Sequence, residues 1–121
     1  MDVERTRLYY EQLGRCDVCD CVYCKNYISE IKKTYPEAAE YLLSMGIDIE
    51  KPFETMPLEL DKTGYIDYIA AQYIVYGKPD GFEKTAIGSI NVGIAESHPS
   101  TEINEDHFVV EIWPVRLKWV M

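Results

Sequence analysis

Hydrophobic spacing changes once along the chain, from a helical period before residue 46 to a twofold one after residue 55. Residues 7–13 carry Leu8, Tyr9, Tyr10 and Leu13 ahead of Gly14, and this aromatic run predicts a short strand. Ile28, Ile31 and Tyr35 then recur at helical spacing, with Asn26 as the predicted N-cap. Pro36 interrupts that run. Thr34-Tyr35-Pro36-Glu37 matches a capping box, in which the hydroxyl and the carboxylate satisfy free amides at the start of a second helix reaching Met45. Ala38, Ala39, Leu42 and Leu43 give that helix a buried stripe, and Gly46 stands where a left-handed residue would end it.

Residues 47–56, with Pro52 and alternating charges, predict an extended connection. Residues 55–60 predict a strand before the turn Asp61-Lys62-Thr63-Gly64, and residues 65–76 a long central strand with tyrosine and isoleucine on both faces. After the turn residues of 77–81, Ala86, Gly88, Ile90, Val92 and Ile94 share one face, so these two runs are expected to form an antiparallel hairpin. Residues 98–106 read as a polar loop. Phe108, Val110 and Ile112 alternate next, Pro114 marks an edge or a bulge, and Val115, Leu117 and Trp119 continue the strand pattern.

The expected fold is therefore α+β: an N-terminal Cys-rich loop and one broken helix, or two short ones, packed on a four- to five-stranded, mainly antiparallel sheet. A single domain is expected over residues 1–121, comprising the segment 1–25 with the Cys-rich loop, the helical segment 26–46 and the sheet 55–121. A hydrophobic share of 47% supplies a core for it.

Charge narrows the partners. The formal net charge is -9 and there is no dense Lys/Arg run, so a nucleic-acid backbone would be repelled. The start Met1-Asp2-Val3-Glu4-Arg5 lacks the basic and apolar regions of a secretory signal, and no stretch approaches the roughly 18 apolar residues that span a bilayer. A cytoplasmic protein, independent of membranes, is expected. In that reducing compartment thiols serve as ligands or reactive groups rather than as structural disulfides.

All four cysteines fall within nine residues: Cys16, Cys19, Cys21 and Cys24, spaced C-x2-C-x-C-x2-C. Two C-x2-C turns can aim sulfurs at one ion, which makes these four the candidate metal ligands, with zinc the ordinary ion for such a site and an iron-sulfur cluster the less favoured one. Only Asp20 separates the pairs, so closing a tetrahedron from this one loop crowds the backbone. Three sulfurs on one ion are then expected, with Cys16, His98 or His107 as candidates for the fourth position. A C-x2-C entering a helix also suits thiol redox chemistry, because the helix N-terminus favours a thiolate, although Asp17 and Asp20 oppose that effect.

The run Cys19-Asp20-Cys21-Val22-Tyr23-Cys24-Lys25-Asn26, with Pro36-Glu37, Leu43-Ser44-Met45-Gly46 and Lys51-Pro52, resembles a group of short uncharacterised bacterial proteins carrying C-D-C-x-x-C-x-N. The resemblance covers the first half of the chain and implies a bacterial source but no particular activity. Its motif uses the last three cysteines and leaves Cys16 outside.

No G-x-S-x-G, P-loop, G-x-G-x-x-G or H-E-x-x-H motif occurs, so motif-based hydrolase, nucleotide and zincin functions have no foothold. His98 and His107 sit in polar surroundings where solvation accounts for them, and Tyr65, Tyr68, Tyr73 and Tyr76 on one strand suit sheet packing better than a recognition surface. The sequence thus favours a non-enzymatic module with a structural zinc site that meets a protein partner. A thiol redox or sensor protein is the alternative, and an acidic inhibitor or immunity-type protein with incidental cysteines the third reading.

Overall fold

The computed structural model describes residues 1–14 and 19–121. Three helices precede the sheet: α1 (Val3–Gln12), α2 (Val22–Thr34) and α3 (Pro36–Leu43). Six strands follow, β1 (Glu54–Pro57), β2 (Tyr65–Tyr76), β3 (Thr85–Ile87), β4 (Ile90–Ile94), β5 (His107–Trp113) and β6 (Val115–Lys118), in one antiparallel sheet. The α+β class with two short helices broken at Pro36 is as expected.

Residues 7–13 lie mostly in α1 and not in a strand, because Asp2 caps the helix by accepting from Arg5 N at 2.9 Å and Thr6 and Tyr10, four apart, bury one face. Strand-favouring tyrosines were overridden by tertiary contact. β1 pairs with β2 only as far as Gln72, and α1 takes over beyond it. Asp2 N donates to Tyr76 O at 2.9 Å, Tyr76 N to Thr6 Oγ1 at 3.0 Å, and Tyr10 OH to Ile74 O at 2.8 Å. Strand groups left without a ladder partner are thereby satisfied.

The expected capping box does not form. α2 runs through Thr34, so the Thr34 hydroxyl turns back to Glu30 O at 2.7 Å, and Tyr35 occupies the start of α3 with no side-chain cap. Tyr35 OH instead accepts from Arg116 N at 3.0 Å and donates to Arg116 O at 3.1 Å, which ties the helix junction to β6. Gly46 ends the helical half at φ +85°, with Ile47 N donating to Leu42 O at 3.0 Å.

The expected hairpin between residues 65–76 and the next run is replaced by another pairing. The strand order is β1-β2-β5-β4-β3, so β5 lies between β2 and β4, and β3 and β4 form their own hairpin around Gly88 and Ser89. Length explains the choice: β2 has 12 residues and is buried on both faces over its second half, so it needs a long partner on that edge. β5 and β6 supply it end to end. Ala71 pairs with Ile112 and Tyr68 with Val115 in one register, which leaves Pro114, with no amide to donate, opposite Ile69.

At that point β2 changes face. Tyr68 and Tyr73 are an odd number of residues apart, yet both meet Tyr27 of α2, one by ring contact at 5.2 Å and the other through its hydroxyl at 2.5 Å. A single buried cluster then runs from Ile66 and Tyr68 to Tyr73 and Val75, joined by Ile31, Leu42 and Ile47 from the helical half. No helix among the described residues is long and apolar enough to cross a membrane.

Candidate metal centre

α2 begins at the cysteines rather than at Asn26. Cys21 is its N-cap, and its sulfur accepts from Cys24 N at 3.4 Å, the position usually filled by a Ser or Asp oxygen. Cys24 lies in the first turn and faces inward, 6% exposed, with its sulfur 3.5 Å from the Thr55 hydroxyl of β1. Cys19 and Cys21 are exposed. The three sulfurs lie within 4.8 Å of one another and form the only such group of His, Cys, Asp or Glu ligand atoms among the described residues. Cys16 lies outside the described residues.

These separations suit one ion. Bonds of about 2.3 Å to a tetrahedral zinc would place its sulfurs about 3.8 Å apart, a closing movement within reach of side-chain rotation.

The thiols differ from one another. Burial pushes the Cys21 thiol up, but donation from Cys24 N and contacts with Cys19, Cys24 and Tyr23 N outweigh it and leave Cys21 below its ordinary value. Burial dominates at Cys24 and, against the Thr55 hydroxyl, pushes it up to about 12. A cation would offset that desolvation, because it favours the thiolate directly.

The surrounding chain holds this turn in place. Asn26 is fully buried and clamps the C-terminal segment: Nδ2 donates to Lys118 O at 3.0 Å and Oδ1 accepts from Val120 N at 2.9 Å. Its burial inside a helix next to the cysteines, rather than its capping propensity, gives its role. Tyr68 OH donates to Tyr23 O at 2.6 Å, and Tyr73 OH donates to Ile49 O at 2.7 Å while meeting Tyr27. On the other side Lys51 Nζ donates to Tyr10 O at 2.7 Å and Leu13 O at 2.9 Å, fixing the end of α1 just before the cysteine segment.

Asn26→Ala is expected to cost about 2 to 3 kcal/mol, since Lys118 O and Val120 N both lose a buried partner. Urea unfolding monitored by circular dichroism reads this as a lower midpoint at unchanged slope. A shift below 0.5 kcal/mol, the usual size for a neutral surface change, would contradict the clamp.

The histidines are placed elsewhere. His107 opens β5 opposite Tyr76, while Thr55, which touches Cys24, pairs with Ala71; five residues along β2 separate them by about 17 Å. His107 Nε2 meets Thr101 Oγ1 at 2.6 Å and Nδ1 meets Glu105 O at 2.8 Å. His98 Nδ1 meets Pro99 O at 2.7 Å on the surface. Neither joins the sulfur cluster. Tyr68, Tyr73 and Tyr76 are buried and Tyr65 exposed, in keeping with a packing role for the strand's tyrosines.

Comparisons with protein-family models, curated proteins and solved structures returned no match to the chain.

Proposed function

We propose that this chain is a small non-enzymatic binding module whose clustered thiolates hold one zinc ion. The observation that carries the reading is the approach of Cys19, Cys21 and Cys24 to within 4.8 Å of one another on a single turn. Cys24 serves as the inner ligand, steadied by Thr55, and Cys21 and Cys19 as the outer ones. The ion has a structural role of limited reach, holding the segment before α2 against the helix start. A reducing cytoplasm keeps such ligands available, and the net charge of -9 suits a protein partner better than nucleic acid. Exposed Val22, Tyr23, Val120 and Met121, with the Tyr23 ring 5.7 Å from that of Trp119, offer that partner an apolar contact beside the ion.

Protein purified anaerobically without added zinc is expected to carry one equivalent per chain by elemental analysis. Metal content well below stoichiometry, with no uptake on adding zinc, rejects the site.

The opposed behaviour of two thiols in one C-x2-C favours a second reading, in which exposed Cys21 attacks a disulfide and buried Cys24 resolves it. Alkylation rates against pH test it: a Cys21 that reacts like an ordinary thiol removes its support.

A further inference from the structure

The three sulfurs form a gradient of access. Cys19 borders a cleft of about 250 Å³ that also contains Lys25 and Lys51, and a second cavity of about 70 Å³ on the side of Tyr9 and Phe53. Cys21 is exposed at the helix cap, and Cys24 is buried against Thr55. An incoming ligand can therefore approach an ion from the Cys19 side while Cys24 still holds it. The start of α2 has protein contacts of its own, since Cys21 Sγ accepts from Cys24 N and Tyr27 and Ile31 anchor the helix in the core. Charge selects the visitor: Asp20, Asp48 and Glu50 outnumber the two lysines around the cleft, so a polyanionic chelator is disfavoured and a neutral thiol is admitted.

We propose that the site transfers its ion to an incoming thiol by stepwise ligand exchange through the Cys19 cleft. This inference rests on the metal reading above. In each step the thiol sulfur bonds to the ion, a cysteine thiolate leaves, and the proton of the thiol passes to the departing sulfur. The number of bonds to the ion is conserved and no electron moves. Cys19 leaves first, Cys21 next and Cys24 last.

Zinc-loaded protein, mixed with excess dithiothreitol and followed by native mass spectrometry, tests the proposal. The release rate is expected to double when the dithiol is doubled and to exceed the rate with EDTA at equal concentration. The far-UV circular dichroism of the released protein should equal that of the loaded one. A rate independent of dithiol, EDTA acting as fast as dithiol, or loss of helical signal as the ion leaves would each overturn transfer while leaving the metal site intact. A protein that never shows the zinc-loaded mass instead removes the metal reading, and transfer with it.

Discussion

Gly46→Ala is expected to lower the unfolding free energy by about 3 to 5 kcal/mol, among the largest effects of a single methyl group. Two causes act together. The residue sits at φ +85°, a left-handed conformation that costs an L-residue roughly 1–2 kcal/mol. The added Cβ would also stand 2.5 Å from Val3 O and 2.9 Å from Arg7 N, both backbone atoms of α1 that no side-chain rotation can move. Relief requires lifting α1 off the end of α3, which strains the contacts of Asp2, Thr6 and Tyr10 with the end of β2. Urea titration of both proteins measures the loss. Gly64→Ala is the control, since Gly64 also has a positive φ, +84°, but nothing lies within 4 Å of its Cβ position. It should lose only the conformational part, so equal losses at the two glycines would rule out the close approach of α1.

Cys24→Ala is expected to weaken zinc binding by more than about a hundredfold, since removing even an outer-shell partner of a metal ligand costs 10–100-fold. The metal-free protein should lose only about 1 kcal/mol, for one small buried group and a weak contact with Thr55. Competition with a chromophoric zinc indicator measures the first effect, and thermal unfolding of the metal-free variant the second. Cys19→Ala should weaken binding less, because Cys19 is exposed and has no anchor like that of Cys24. An equal affinity for Cys24→Ala and the parent protein would show that the inner sulfur is no ligand. Acidification should act in the same direction as losing a ligand, because protons compete with the ion for the thiolates.

Local signals carried much of the architecture. Pro36 and Gly46 punctuate the helices where their backbone chemistry requires, and the strand from Tyr65 to Tyr76 has the predicted bounds because its β-favouring run is uninterrupted. The misjudged elements depended on distant partners. α1 looked like a strand because Tyr9 and Tyr10 favour one, and only the free edge of β2 makes the helix the better choice. The hairpin failed because alternation identifies a strand but not its neighbour, and the chain that best matches β2 in length comes some thirty residues later. At the candidate site, spacing predicted that three of the four sulfurs would converge, the resemblance singled out the last three, and Cys19, Cys21 and Cys24 do approach one another. Nothing local could show that Asn26 grips the C-terminal strand, that Thr55 meets Cys24, or that Lys51 fixes the chain ahead of the loop.

The three sulfurs span only six residues, and one of them caps the helix that carries the third. A chelate so local in sequence can close before the sheet exists, while the remainder of the polypeptide is still being made. Fixing that first turn would also remove part of the nucleation penalty that keeps short helices from forming alone. The denatured chain would then retain affinity for the same ion, so saturating zinc should raise the melting temperature by less than its affinity for the folded protein implies.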